Sequence, residues 1–285
     1  MNKIVIGTAN FDKIYGIQKR KLPKKIINSK ILKILLRSKI KFLDTAFDYD
    51  NKLFKGSNLK RFKIINKVKL PKKKIDFYNK NFENIVISKL KTLGIDHFDY
   101  LLIHKSNDLK GKNGQIFLNK ILNLKRNKYI KKVGVSIYEP KELLMIYKNF
   151  IPDLVQAPLN IFDQRIINSN FYDLIKKNDT KLQIRSIFLQ GILLKDINEL
   201  KKMKVNKKLI TKISTFEQLC KKNNISRLEA CVSFVKNIKD IKFITIGFNS
   251  DIELKQILKS FKSKKKIYLK QSNIVEKKLI DPRKW

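Results

Sequence analysis

Four side chains in the first 104 residues could do acid–base chemistry together: Asp44, Tyr49, Lys67 and His104. A phenol has an ordinary pKa of about 10, which makes it a weak acid catalyst at neutral pH unless it is tuned. An ammonium beside it favours the phenolate. A carboxylate paired with that ammonium keeps it charged and in place, and an imidazole opposite orients a carbonyl oxygen. Such a set delivers a proton to a carbonyl oxygen as negative charge develops there. The chain has two histidines, His97 and His104, and two cysteines, Cys220 and Cys231. That is too few for a metal knuckle or a disulfide framework, so no metal is expected. The other half of a carbonyl reduction must then come from a hydride cofactor.

Taken singly, each residue is a weak signal. Asp44 and Tyr49 are five apart, and Lys67 shares its strand with Lys63 and Lys69. Only register favours Lys67, which falls where the strand reaches its end. His104 closes an apolar run in which a satisfied core histidine is the ordinary outcome. His97 precedes that run, at the other end of the strand, and reads as structural. Cys220 and Cys231 sit in helical segments among apolar neighbours and read as core.

Positioning these groups falls to an alternation that runs the length of the chain. Short β-rich runs occur at Ile4–Ile6, Phe42–Asp44, Phe62–Val68, Tyr100–His104, Lys132–Ser136, Leu154–Pro158, Leu182–Ser186 and Phe243–Ile246. Between them, Ile26–Leu36, Asn84–Leu93, Ile116–Leu124, Lys141–Tyr147 and Phe171–Lys177 have helical apolar spacing. Ser226 with Glu229 and Ser250 with Glu253 have the spacing of capping boxes at helix starts. Strands each followed by a helix pair in parallel through right-handed crossovers. Eight such units in about 250 residues predict an α/β fold, the (β/α)8 TIM barrel. No linker divides the chain, so residues 1–285 are expected to form one domain. In this fold catalytic groups stand at the carboxyl ends of the strands, where Asp44, Lys67 and His104 fall.

The strand-end segments resemble the aldo/keto reductase superfamily over essentially the whole length. The matching stretches are IVIGTANF, FLDTAFDY, INKV, FDYLLIH, VGVSIY, VQAPLNIFDQR, RSIFLQGIL and FITIGFNS, in order on strands one to eight. The resemblance implies Tyr49 as proton donor, Lys67 as the group that lowers its pKa, Asp44 as the anchor of Lys67, and His104 as the orienter of the substrate carbonyl. It also implies a nicotinamide cofactor, its carboxamide on Ser136 and Gln156, with Gly7 and Thr8 at the end of strand one beside it. Ser186 and Gln190 would lie along its ribose and pyrophosphate, and Gly247, Ser250 and Glu253 at its adenosine end. A helix amino terminus there suits a phosphate, because its N–H groups point outward. RSIFLQG and NIFDQR resemble a bacterial branch often met among sugar and cell-surface polysaccharide functions, which implies a sugar-like carbonyl as substrate. Tyr15 and Gly16, after strand one, are candidates for the substrate mouth.

Three departures from the family pattern stand out. The G-x-S-E segment that usually follows the catalytic Tyr is missing, and DNKLFKGSNLKRFKIINKV stands there instead. Arg185 holds the strand-seven place where many members stack an aromatic on the nicotinamide, with Phe188 as a candidate substitute. Glu253 falls where members preferring NADPH often carry a basic residue. A carboxylate there favours NAD(H), whereas Lys255 and the positive field pull toward phosphate. NADP(H) is the expected cofactor on family habit, with NAD(H) as the alternative.

The formal net charge of +41, from 65 Lys plus Arg against 24 Asp plus Glu, points at first to nucleic acid. Only eight of the basic residues are arginine, and the lysines spread over nearly every segment. With Ile and Asn also plentiful, this is the composition expected of an AT-biased genome. At 43% hydrophobic residues, the chain is too apolar for a disordered polycation. No apolar run reaches a bilayer-spanning length, and the amino terminus lacks a signal peptide's apolar core. The expectation is a cytoplasmic enzyme, monomeric or a small homo-oligomer, acting on a small carbonyl compound without specific nucleic acid or membrane partners. The missing G-x-S-E segment keeps a non-catalytic, cofactor-binding regulatory or scaffolding homologue as the second reading. Polyanion binding through the lysine surface is a third.

Overall fold

A computed structural model of the chain describes residues 3–12, 30–49, 59–265 and 276–281. Tyr15, Gly16, the first part of Ile26–Leu36 and most of the segment after Tyr49 lie outside the described residues.

Eight strands close into a parallel barrel in chain order: β1 Ile4–Gly7, β2 Phe42–Asp44, β3 Lys63–Val68, β4 Phe98–Ile103, β5 Ile130–Ser136, β6 Leu154–Pro158, β7 Lys181–Arg185 and β8 Ile241–Ile246. Closure is made by β8 on β1, with Ile4 opposite Ile244 and Ile6 opposite Ile246. The barrel expected from the alternation is the barrel observed. Most strands fall within two residues of the apolar runs. Both β4 and β7 end before the polar residue expected to close them, so His104 and Ser186 stand just beyond the ladder.

The helices in chain order are α1 Ala9–Asp12, α2 Leu32–Arg37, α3 Ile75–Leu93, α4 Gly111–Arg126, α5 Glu142–Asn149, α6 Phe171–Lys177, α7 Ile197–Lys202, α8 Lys207–Lys222, α9 Arg227–Lys236, α10 Asp251–Lys262 and α11 Lys277–Ile280. Four of them start on a capping side chain, Asp196 at α7, Asn206 at α8, Ser226 at α9 and Ser250 at α10. Ser226 and Glu229 form a reciprocal box at α9. At α10 only half of the expected box forms. The Ser250 hydroxyl accepts from the Glu253 N–H, but the Glu253 carboxylate reaches back to the Asn249 N–H at 2.7 Å.

Two apolar regions hold the molecule together. The larger fills the space between barrel and helices, with Phe82, Phe117, Phe162 and Phe216 wholly buried. The smaller is the barrel's interior floor: Val5, Ile65, Tyr100, Leu102, Leu154 and Phe243, with Phe42 against it. Strand alternation explains the split, because residues i and i+2 face one side and i+1 the other. Ile65 thus points inward while Ile64 joins the outer layer. Gly134 is required by this floor. A Cβ there would meet the Leu154 carbonyl oxygen at 2.4 Å and the Leu102 Cδ2 at 2.5 Å.

Candidate active site

Above the apolar floor, each strand contributes one more inward residue: Gly7, Asp44, Lys67, His104, Ser136, Gln156, Arg185 and Thr245. Each is two residues further along from an inward position in the layer beneath, such as Ile65 under Lys67 or Leu102 under His104. This is the period of two carried one step past the core. All eight line a single cleft of about 650 Å³, together with Tyr49. A polar layer seated on an apolar one is thus written into most of the strands; β1 contributes Gly7, and β7 has Gln183 beneath Arg185.

Asp44 is the hub of that layer. Its carboxylate pairs with the Lys67 ammonium, and both side chains are about 95% buried. It also accepts from the Gln156 Nε2 at 2.5 Å and the Gln183 Nε2 at 2.7 Å. Its backbone carbonyl takes the Thr8 N–H at 2.9 Å and the Thr8 hydroxyl at 3.1 Å. Taking two charges out of water is costly, and such a pair persists where further hydrogen bonds satisfy it. The three donors on Asp44 meet that condition.

Tyr49 is carried by a turn that continues the β3 ladder. Thr45 and Phe47 donate to the carbonyls of Ile65 and Lys67, both at 2.8 Å, and the Tyr49 N–H closes the turn on Ala46 at 3.0 Å. The Lys67 ammonium stands 6.0 Å from the centre of the Tyr49 ring. The backbone of His104 is fixed by its main-chain N–H, which donates to the Val68 carbonyl at 2.7 Å. Burial, and after it the positive charges of Lys67 and Arg185, lower the His104 pKa from 6.5 to about 4, against a counter-pull from Asp48 and Asp44. The imidazole is neutral at neutral pH and keeps one N–H to donate. Acid, amine, phenol and imidazole are thus brought to one cleft.

The residues expected along the cofactor fall in the same cleft, with one exception. Ser136 and Gln156 are register partners on β5 and β6, so their side chains stand side by side. Ser186 has φ +60° and Gln190 φ +55°, in a loop that turns sharply over the rim toward Gly191. Gly247 and Glu253 line the far end. Ser250 is the exception: its hydroxyl caps α10, and it is not among the lining residues. Volume and donor set fit a nicotinamide dinucleotide. About 650 Å³ lies in the range of small-molecule sites, and a Cβ on Gly247 would meet nothing within 4 Å, so the wall there is open to a ligand.

The sequence reading did not include Gln183, beneath the cleft, or the lining residues Arg227 and Tyr138. Gln183 lies one layer below Arg185, and strand alternation could have found it. Arg227 opens α9 with its guanidinium bonded to the Lys195 carbonyl at 2.9 Å, and it lines the cleft. No spacing announces it. Tyr138 was also overlooked, and the Arg185 guanidinium stacks on its ring at 4.2 Å. Phe188 is buried and lines the cleft. The cysteines are core, as read: burial pushes the Cys220 thiol up to about 11, and Cys231 is raised further for the same reason.

Known proteins add a family to this geometry. The sequence pattern described as the aldo/keto reductase family matches residues 3–278. A comparison with curated proteins gives no sequence match. Among solved structures, the chain resembles the glycerol dehydrogenase of Gluconobacter oxydans, with 16% identity, a TM-score of 0.70 and coverage of 93% of this chain and 88% of that one. It is similar in the same degree to the holo form of an aldo-keto reductase from Bacillus halodurans, with 14% identity, a TM-score of 0.70 and coverage of 97% and 95%. No helix among the described residues is long and apolar enough to cross a membrane. A family pattern that runs through nearly every residue, on a barrel that carries its polar layer at the strand ends, means that this chain belongs to the aldo/keto reductase family.

Proposed function

We propose that this chain is a cytoplasmic NAD(P)H-dependent reductase that converts an aldehyde or ketone to the alcohol, with Tyr49 as proton donor. The observation that carries this reading is the buried Asp44–Lys67 pair beside the Tyr49 ring, in a cleft shared with a neutral His104. The substrate carbonyl accepts from the His104 N–H and the Tyr49 hydroxyl, which fix its oxygen. As negative charge grows on that oxygen, the phenolic proton moves to it. Lys67, held by Asp44, keeps a positive charge beside the oxygen that loses the proton. The nicotinamide cofactor supplies the hydride to the carbonyl carbon when bound. Ser136, Gln156, Ser186 and Gln190 hold and orient it, and the apolar floor excludes water from below.

NADP(H) is the cofactor this reading favours, with NAD(H) as the alternative. Glu253 remains a carboxylate at the far end of the cleft, but its oxygen is occupied by the Asn249 N–H at 2.7 Å and the Asn249 amide at 3.3 Å. Lys255 is drawn to Asp251, 3.7 Å away. Arg227, which lines the same cleft, is the cation we assign to a phosphate of the cofactor. The substrate class implied by the resemblance is a sugar-like or polyhydroxy carbonyl.

The test is oxidation of NADPH and NADH by the purified chain against a panel of aldehydes. Tyr49→Phe is expected to lower turnover by at least about a thousandfold, while NADPH affinity, read by fluorescence quenching, changes less than about threefold. Turnover persisting in Tyr49→Phe would remove the proposed acid. Cofactor binding with no turnover on any carbonyl would favour the non-catalytic reading.

A further inference from the structure

The catalytic end of the cleft carries one more positive charge than the reduction itself requires. Lys67 is matched by Asp44, and Lys69 is matched by Asp48 at 2.6 Å. His104 is neutral at working pH. Arg185 has no such match, since no carboxylate lies within 4 Å of its guanidinium among the described residues. The guanidinium is nonetheless held firmly. Its plane lies 4.2 Å over the Tyr138 ring, its Nη2 donates to the Ile137 carbonyl at 3.1 Å, and its Nη1 makes a long contact of 3.4 Å with the Ser186 hydroxyl. A guanidinium has five N–H donors. The protein uses two of them, and the side chain is half-buried in the cleft wall with its charge felt at His104.

A cation fixed by stacking and by a carbonyl, lining a cleft with three of its five N–H donors unused, is a preformed receiver for an oxyanion. Guanidinium binds carboxylate and phosphate through two parallel charge-assisted bonds, and an ordered side chain loses little further freedom when it does so. Arg185 stands at the end of β7, and its guanidinium reaches Ile137 and Tyr138 just after β5, the strand next to β4 and His104. A compound bridging Arg185 and His104 would present its carbonyl to His104 and Tyr49 and its anionic group to Arg185.

We propose that Arg185 is a substrate-binding residue and that the carbonyl substrate carries an oxyanion, either a carboxylate or a phosphate ester. The inference rests on the reading of the chain as a carbonyl reductase and narrows it to acidic aldehydes or ketones. Sugar acids and sugar phosphates meet both descriptions.

Two measurements separate this inference from the reading beneath it. The first is equilibrium binding of succinate and of neutral succinamide to the full chain by calorimetry, for the wild type, Arg185→Met and Arg185→Lys. Succinate is expected to bind at least about tenfold more tightly than succinamide, with the preference lost in Arg185→Met and partly kept in Arg185→Lys, which retains charge but not the fork. Equal binding of the two ligands, or a preference surviving in Arg185→Met, overturns the assignment. The second is the ratio of kcat/KM for 4-oxobutanoate over its methyl ester, and for glyceraldehyde 3-phosphate over glyceraldehyde. A ratio above about ten in the first pair identifies a carboxylate, and in the second a phosphate, with collapse toward one in Arg185→Met. Turnover of neutral and anionic members at equal rates leaves the reductase standing and removes the anion site. Succinate binding through Arg185 with no turnover of any substrate leaves the anion site standing and removes the reductase.

Discussion

Replacing His104 with Gln gives a quantitative check on the electrostatics of the cleft. The imidazole titrates near pH 4 in the folded chain and near 6.5 in the unfolded one. Between those values the unfolded chain holds more protons, so acidification favours unfolding. The stability tied to a neutral His104 is complete above about pH 6.5 and is lost as pH falls toward about 4. A separation of about 2.5 pKa units sets a ceiling of about 3.4 kcal/mol, at ~1.36 kcal/mol per unit. Integrating between pH 7 and pH 5 gives about 2 kcal/mol. Over that interval the wild type should therefore lose about 2 kcal/mol more stability than His104→Gln, since all other titrating groups are common to both.

Urea denaturation followed by far-UV circular dichroism at the two pH values reads the difference directly. With only two histidines in the chain, the imidazole resonances of the wild type and His104→Gln assign themselves, and an NMR titration gives the pKa independently. Equal pH slopes for the two proteins would refute the reasoning, as would a His104 resonance titrating at 6 or above. Either result would mean that water reaches the imidazole, and it could not be relied on as a neutral N–H donor at the carbonyl. A pKa of about 4 also has a kinetic consequence. His104 should add no acid limb to kcat/KM above about pH 5.

Three further outcomes follow from contacts in and under the cleft. Asp44→Asn leaves the Lys67 ammonium buried without its partner and should cost about 3–5 kcal/mol in urea unfolding. Asp44→Asn combined with Lys67→Met should recover most of that stability but none of the activity. Gly134→Ala should destabilise by about 1–3 kcal/mol, because its Cβ would press on the Leu154 carbonyl and Leu102 side chain, and a urea midpoint reports it. Arg227→Met should weaken NADPH binding by about tenfold relative to NADH by fluorescence titration, the loss of one charge-assisted contact to the phosphate. An unchanged NADPH-to-NADH ratio would remove Arg227 as that contact.

The barrel was legible in the sequence from the alternation of strands with helices, and the polar layer from the rule that strand ends lie at the rim. Once Ile65 or Leu102 is read as inward, Lys67 and His104 must be inward too, and strand ends lie at the rim. What escaped are side chains whose place depends on loops and helix starts. Arg227 is the first residue of α9, and nothing in its neighbours says that the helix begins at the cleft wall. Helix α7 was not recognised, α8 was read only as a helical segment around Cys220, and α3 begins nine residues before the Asn84–Leu93 stripe, with Asn79 and Phe82 buried in its first turns. The Glu253 carboxylate was read as completing a box with Ser250. It reaches Asn249 instead, one residue earlier than the motif specifies, which spacing alone cannot tell. The fold lay in a periodicity that survives any local detail, whereas these contacts are local details.

The same distinction bears on the charge. Lysine dominates the basic residues, and the two lysines buried among the described residues, Lys67 and Lys195, both face a carboxylate, Asp44 and Glu199. A buried ammonium is tolerated here only when neutralised. The two arginines of the cleft follow another rule. Arg185 and Arg227 lean on backbone carbonyls and have no carboxylate within 4 Å among the described residues. Carbonyl partners orient a guanidinium without cancelling its charge, which leaves the field directed at whatever enters. In a chain with 65 basic residues and only eight arginines, placing two of the eight in one cleft is not a compositional accident of the surface. The excess of lysine sets solubility. On the proposals made above, recognition of anionic ligands falls to two of the sparing arginines, Arg185 and Arg227, both of which line the cleft.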